Sequence, residues 1–108
     1  MKKIHLNIED IFNIPSAVIY NPDMFKSINH VSIDSRNIKK NTLFIAIKGE
    51  RYDGHDFIDE VVKKGVAAVL ISEKNFKKIK DLDIPVITVK DTTIALGKVA
   101  KLWRSKLK

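Results

Sequence analysis

A run of five apolar residues, Leu43 to Ile47, is followed directly by a charged loop that contains two glycines, Lys48 to Phe57. The run has no polar residue, so it predicts a strand buried on both faces, as in the parallel sheets of α/β proteins. Ligands of open α/β sheets bind outside the carboxyl ends of the strands. The loop after this strand is therefore the first place to look for a binding site.

The length and the cysteine content limit the class of protein. A chain of 108 residues fits one domain, residues 1–108, which buries roughly two thirds of its unfolded surface without staples. It has no cysteine, no apolar run near the roughly 20 residues of a membrane span, and no signal-peptide pattern after Met1-Lys2-Lys3. We therefore expect a cytoplasmic protein with no membrane span and no thiolate metal site.

The net charge of +7 and the pI near 9.7 suggest an anionic partner. Only three of the twenty basic residues are arginines, and the lysines are spread along the chain. Readout of base edges relies on arginine, and binding of single strands relies on aromatic platforms. The composition therefore favours a lysine-rich solvated surface, which also suits an anionic small molecule, over specific nucleic-acid binding.

Turn signals divide the second half into alternating elements. Besides residues 43–47, apolar runs predict buried strands at 66–71 and 86–89. Strand 43–47, the helix after it and strand 66–71 form a right-handed βαβ unit with parallel pairing. The sequence therefore predicts an α/β fold with a mostly parallel or mixed sheet.

The predicted helices have recognisable ends. Asp56 is the expected cap of a helix that Gly65 terminates, and a short charged helix is expected over Glu73–Lys80. Asp91 is the expected cap of the last helix. Its predicted apolar stripe consists of Ile94, Ala95, Val99, Leu102, Trp103 and Leu107.

The first third is less regular. Short strands are expected at residues 4–6, 17–20 and 30–34, and a helical turn at 8–12. Alternation of apolar and polar residues over 30–34 predicts a strand with one covered face.

Gly49 and Gly54 stand five apart between a strand and a helix, which is the spacing of the nucleotide-binding phosphate loop. His55 and Asp56 occupy the positions where that loop has Lys and Ser or Thr. The lysine contacts the β- and γ-phosphates, whereas an aspartate repels them. The sequence therefore excludes an ATPase site of this type.

A binding role remains for the loop and for the corner Asp34-Ser35-Arg36. The loop offers backbone groups beside a helix amino end, and the planar fork of Arg36 suits a diphosphate, so a nucleoside diphosphate group would fit. A purely structural alternative is also open, in which Asp34 and Arg36 brace a turn and Gly49 and Gly54 supply positive φ.

No catalytic residue or metal site is predicted. His55 lies beside Asp56 at a helix start, where a hydrogen-bonding turn residue is favoured over a catalytic base. His5 and His30 are distant in sequence and give no zinc-binding spacing. Ser35 lacks the glycine elbow of a nucleophile.

Four segments, in order and spacing, resemble the amino-terminal domain of the Mur ligases, which build the peptide stem of peptidoglycan: residues 31–36, 43–49, 53–58 and 64–69. Within the family, residues 49–54 and the closing 95–104 resemble the MurF type more than the MurE type. One departure is Asn41-Thr42, where family members commonly have Gly-Asp. Because Asn tolerates the left-handed conformation, we expect this turn to be preserved.

The resemblance implies a small three-layer domain that holds the UDP end of UDP-N-acetylmuramoyl-tripeptide. It places Ser35 and the backbone near Glu50 and Arg51 at the uracil or ribose, and Arg36 and Lys48 near the diphosphate. The implied UDP-binding residues are Ser35, Arg36, Lys48, Gly49, Glu50, Arg51 and Tyr52, and the residues that shape the site are Asp34, Asp53, Gly54 and His55.

The resemblance further implies that the full-length enzyme uses ATP and magnesium to add D-alanyl-D-alanine through an acyl phosphate. These cofactors belong to a central domain, which with the carboxyl-terminal domain lies outside this chain, so the fragment alone is expected to be non-catalytic. The alternatives are a MurE-type domain that adds the third stem residue, a free-standing nucleotide or nucleic-acid binding module, and a structural module without a ligand.

Overall fold

The computed structural model describes residues 4–79 and 81–107. Five strands form one sheet in the order β1-β5-β4-β3-β2. They are β1 Val18–Tyr20, β2 His30–Ser32, β3 Thr42–Ile45, β4 Ala68–Ser72 and β5 Val86–Val89. β1 is antiparallel to β5, and every other pair is parallel. The predicted α/β fold with a mixed, mostly parallel sheet is confirmed.

Helices cover both faces of the sheet. They are α1 Ile8–Phe12, α2 Ile58–Lys63 and α3 Thr92–Ser105, with short 3₁₀ helices at Pro22–Met24, Gly54–Phe57 and Glu73–Lys78. Side chains of a strand alternate between its faces. Leu43 and Ile45 accordingly pack with α1 and α3, whereas Phe44 packs with α2 on the other side. The result is a three-layer domain.

The helix after β3 begins later than the sequence predicts, and the predicted cap Asp56 is wrong. The Asp53 side chain instead caps the 3₁₀ turn Gly54–Phe57, and α2 then starts at Ile58 without a side-chain cap. Gly54 N–H is tied to the carbonyl of Ile47 at 2.9 Å. This bond holds the start of the turn near the end of β3, and the turn itself is a 3₁₀ helix, which is tighter than an α-helix.

Three conformational predictions hold. Gly65 has φ +86 at the end of α2, as its role as terminator requires. Asn41 has φ 64, so the left-handed turn is kept without glycine. The Asp91 carboxylate accepts hydrogen bonds from the N–H groups of Thr93 and Ile94 and caps α3.

The apolar stripe of α3 is only partly as predicted. Ala95 and Val99 are buried, and Leu102 and Trp103 are partly buried against the same core. Ile94 and Leu107 are 60% and 64% exposed, so both assignments are wrong. Ile94 lies roughly 100° around the helix from Ala95 and therefore faces away from the sheet. Leu107 lies beyond the last residue of α3.

The other element boundaries also shift. Residues 4–6 form no strand, and only Leu6 makes an isolated bridge, to Ile28. β2 ends at Ser32, so Ile33 is not on a covered face. The charged helix is a 3₁₀ helix over Glu73–Lys78. Lys80 and the residues Met1-Lys2-Lys3 lie outside the described residues.

The helices within residues 4–79 and 81–107 are too short or too polar to cross a bilayer.

Candidate functional site

Two corners meet at one edge of the sheet because β2 and β3 are parallel neighbours. Ser32 pairs with Phe44 near the carboxyl ends of the two strands. The segment after β2 and the segment after β3 therefore leave the sheet side by side. They enclose a groove of 680 Å³, lined by Ile33, Asp34, Ser35, Arg36, Tyr52, Phe57 and Glu60.

The Asp34–Arg36 pair stands at the mouth of the groove. Asp34 Oδ1 accepts from the backbone N–H and the Nε–H of Arg36 at 2.9 and 3.0 Å, and Oδ2 accepts from Nη2 at 3.0 Å. The side-chain bond from Arg36 lowers the pKa of Asp34, and the same bond raises the pKa of Arg36. Asp34 uses two of the five guanidinium donors, and the Arg36 side chain is 86% exposed. The Arg36 guanidinium is thus held in place by Asp34 and still has free donors for a ligand.

The Ser35 corner is fixed from two sides. Ser32 Oγ accepts from Asp34 N–H and donates to the Asp34 carbonyl, both at 3.0 Å. Lys64 Nζ donates to the Ser35 carbonyl at 2.8 Å and pairs with Glu60 at 3.2 Å. Ser35 is 3% exposed, so its corner is packed into the domain. The end of α2 and the end of β2 together set the position of this corner.

Residues 48–53 form a tight hairpin, called the hairpin below. Gly49 N–H donates to the Tyr52 carbonyl at 2.6 Å. The backbones of Lys48 and Asp53 form an isolated antiparallel β-bridge. A Cβ on Gly54, the residue after the hairpin, would lie 2.9 Å from the Cα of Ala46, the residue after β3, so the two backbone segments leave no room for a side chain at this position. Among glycines in the described part of the chain, only Gly65 has positive φ. The structural alternative, in which Gly49 and Gly54 supply positive φ, is therefore wrong on this point.

Tyr52 and Phe57 form an aromatic wall in the groove. Their rings are stacked, with centroids 5.0 Å apart and an interplanar angle of 15°. Tyr52 is 39% exposed and lies near enough to Arg36 to add, after Asp34, to the rise in the Arg36 pKa. The groove thus combines a flat aromatic surface with a guanidinium.

His55 lies on the other side of the hairpin and is bonded through both ring nitrogens. Nε2 accepts from Ser72 N–H at 3.0 Å, so the ring proton is on Nδ1, which is 2.7 Å from Asp53 Oδ1. Burial raises the pKa of Asp53, but the bonds from His55 and the charge of Lys48 outweigh it and lower that pKa overall. His55 is a hydrogen-bonding residue of the turn, with no free nitrogen to act as a base.

The predicted site residues fall into four places. Asp34, Ser35, Arg36 and Tyr52 line the groove. Lys48, Asp53 and His55 line a separate cavity of 300 Å³, called the crevice below. Gly49, Glu50 and Arg51 are exposed on the hairpin and line neither space, while Gly54 is buried beneath the hairpin against β3.

The sequence did not single out three of the residues that line the groove. Ile33 was assigned to a covered strand face, and Phe57 and Glu60 to the helix that follows the loop. Phe57 and Glu60 are three apart, a spacing that places two side chains on one helix face. This spacing was the signal in the sequence that could have placed Phe57 and Glu60 together. Within residues 4–79 and 81–107, no group of three or more His, Asp or Glu side chains could hold a metal ion.

Comparisons with known proteins identify the family. The description "Mur ligase family, catalytic domain" belongs to the family model that matches residues 27–104. The chain belongs to the Mur ligase family. Its small mixed-sheet domain matches the amino-terminal fold of Mur ligases, and MurF from Acinetobacter baumannii superposes with a TM-score of 0.79 and 25% identity over 95% of this chain and 22% of that one.

Two curated Mur ligases illustrate the two types of relative. The UDP-N-acetylmuramoyl-tripeptide--D-alanyl-D-alanine ligase of Buchnera aphidicola subsp. Acyrthosiphon pisum is 37% identical over 97% of this chain and 22% of its own length. The UDP-N-acetylmuramoyl-L-alanyl-D-glutamate--2,6-diaminopimelate ligase of Aquifex aeolicus is 40% identical over 80% of this chain and 17% of its own length. The chain thus spans about a fifth of the length of these Mur ligases.

Proposed function

We propose that this domain anchors the UDP end of a UDP-N-acetylmuramoyl peptide in a MurF-type ligase that adds D-alanyl-D-alanine during peptidoglycan precursor synthesis. Family membership supports the ligase class. Four relatives named for D-alanyl-D-alanine addition align over 95–97% of this chain and a fifth over 74%, whereas three diaminopimelate ligases align over 68–80%. This difference in coverage favours the MurF type over the MurE type.

The observation that carries the proposal is the convergence of the Asp34–Arg36 pair and the Tyr52–Phe57 stack in one groove. A pyrimidine ring stacks on the exposed face of Tyr52, because base and aromatic ring both present flat π surfaces. The free donors of Arg36 bind the diphosphate, which needs a planar, permanently charged fork. An aromatic surface and a cation together suit a nucleoside diphosphate better than either would alone.

The remaining predicted residues have roles of lesser weight in this proposal. Ser35 borders the groove, and the exposed backbone of Gly49, Glu50 and Arg51 offers hydrogen-bonding groups to the ribose or uracil. Lys48 lies on the crevice side of the hairpin, so it acts on the diphosphate through its charge and not by direct contact.

We further propose that ATP and magnesium act in a central domain and that residues 1–108 bind without catalysing. The sequence contains no Gly-Lys-Ser/Thr tripeptide, which a phosphate loop requires. The description of the family as a catalytic domain therefore applies here to the enzyme to which the domain contributes.

The test is a titration of the chain with UDP, followed through backbone amide shifts. We expect shifts at residues 34–36, 52 and 57, and their loss in Arg36→Ala with the fold retained. Arg104→Ala removes an exposed arginine at the end of α3 and serves as the matched control, which should bind as the unaltered chain does. If millimolar UDP moves none of these amides, or if single-stranded nucleic acid displaces UDP equally well, the anchoring role is wrong.

A further inference from the structure

The crevice lies at a switch in chain direction. After β4 the chain enters Glu73–Lys78 on the face covered by α2, and after β5 it enters α3 on the opposite face. Adjacent parallel strands whose connections leave toward opposite faces open a gap beyond their carboxyl ends, and ligands of α/β sheets bind in such gaps. The groove is not at this point, since it lies beyond β2 and β3.

Three lysines from three successive strand ends line the crevice. Lys48 follows β3, Lys74 follows β4 and Lys90 follows β5. Ser72, the last residue of β4, pairs with Val89, the last residue of β5, so the two strands end at the same level of the sheet. Lys74 and Lys90 follow shortly after these two ends. Lysines that are 26 and 16 residues apart in the sequence therefore line one cavity.

The two carboxylates of the crevice are already engaged. Asp53 Oδ1 accepts from His55, and Asp91 Oδ1 accepts from the first turn of α3. Three lysines and two aspartates thus line the crevice, and His55 Nε2 is occupied by the Ser72 N–H. The Lys90 backbone is itself held by a bond from its N–H to Ser16 Oγ at 2.9 Å. The balance of charge favours an anion.

We propose that the crevice is a second binding site, for a small phosphate-bearing anion, separate from the UDP groove. The two spaces share no lining residue: Tyr52 faces the groove, whereas Lys48 and Asp53 face the crevice. Hydroxyls of Ser72 and Thr93 and the amide of Asn75 line the same space and supply neutral donors beside the lysines. A volume of 300 Å³ admits a phosphate or a small phosphate ester.

The test is a titration of the chain with inorganic phosphate, followed through amide shifts. We expect shifts at residues 72–75 and 90–93, with an affinity that falls as salt rises. The double variant Lys74→Gln/Lys90→Gln should weaken phosphate binding about tenfold, as the loss of two exposed ionic contacts predicts. Both side chains are exposed, so the fold should survive.

Two controls make the result decisive. Lys101→Gln removes an exposed lysine of α3 outside the crevice and should leave phosphate binding unchanged. Arg36→Ala should leave it unchanged as well, so the site can stand even if the UDP groove does not. The proposal is overturned if about 50 mM phosphate, enough to half-fill even a weak site, moves no crevice amide, or if Lys101→Gln weakens binding as much as the double variant.

Discussion

The groove and the crevice lie on opposite sides of one hairpin and are built by different means. The groove arises because two loops leave neighbouring strands β2 and β3 side by side, and its wall is aromatic. The crevice arises because the chain leaves β4 and β5 toward opposite faces, and its lining is polar and rich in lysine. Topology thus places both hollows on the same edge, while a few side chains decide what each can bind.

Gly54→Ala is the change that should damage both sites at once. The added Cβ would meet the backbone of Ala46 and Ile47 at 2.9 Å, and backbone cannot move aside as a flexible side chain can. We expect a loss of about 2 to 3 kcal/mol in the free energy of unfolding, as for overpacked cores. Urea denaturation followed by circular dichroism measures it.

The matched control for that change is Gly97→Ala in α3. A Cβ at Gly97 meets nothing within 4 Å, and alanine is the better helix former. The variant should gain about 1 kcal/mol. Equal effects of the two substitutions would mean that the Gly54 backbone does not lie against Ala46 and Ile47 as described.

Tyr52→Ala should separate the two sites. Loss of the stacking surface should weaken UDP binding about tenfold, while the amide shifts caused by phosphate in the crevice stay as they are. Tyr52→Phe keeps the ring and should bind UDP nearly as the unaltered chain does. Amide titrations with each ligand give both numbers. If Tyr52→Ala weakens both ligands alike, the hairpin does not divide two independent sites.

Asp53, on the crevice side of the hairpin, should make the stability of the domain depend on pH in the acid range. Its pKa is lowered in the folded chain, so its contribution to stability is complete above the ordinary value of 3.8 and is lost as pH falls through the lower folded value. Asp53→Asn keeps the acceptor for His55 but loses the charge. It should cost about 1 kcal/mol at neutral pH, and this cost should shrink below pH 4.

Unfolding in urea at a series of pH values measures this profile. Asp83→Asn removes an exposed carboxylate elsewhere and should leave the difference between neutral and acid stability unchanged. A profile for Asp53→Asn that runs parallel to that of the unaltered chain would contradict the role given to the His55 bonds.

The smallest effect is expected at Lys64, on the groove side. Its bond to the Ser35 carbonyl is partly exposed, so Lys64→Gln should cost about 0.5 to 1 kcal/mol in stability. It should also displace the amide signals of Ser35 and Arg36 in the free protein and weaken UDP binding. Lys63→Gln removes the neighbouring exposed charge and should do neither. Identical spectra for the two variants would remove Lys64 from the site.

Much of the fold could be predicted from local sequence, because the strongest signals are local. The apolar run at 43–47 became β3, Gly65 ended α2, and Asp91 capped α3. The error at Asp56 has a structural reason. Asp56 was a suitable cap by type, but the chain after the hairpin begins with a 3₁₀ turn that Asp53 caps, and the Gly54 N–H at its start is bonded to the Ile47 carbonyl.

The candidate site was predicted in part. The Asp34–Arg36 corner was located correctly beside the loop after β3, because parallel strands end at the same edge of a sheet. The neighbourhood of Lys48 was not predictable. Its side chain belongs to the crevice, and which side of a hairpin a residue lines depends on how the hairpin packs on the sheet.

The sequence by itself determined the three central strands and the edge of the sheet at which the candidate site lies, because hydrophobic period and turn residues act over a few neighbouring positions. Only the tertiary structure decided that Lys48 lies with Lys74 and Lys90 in the crevice, apart from Arg36 and Tyr52 in the groove. These groupings join residues far apart in the chain. They follow from the parallel register of the strands and from the face toward which each connection turns, and neither is written in any local pattern.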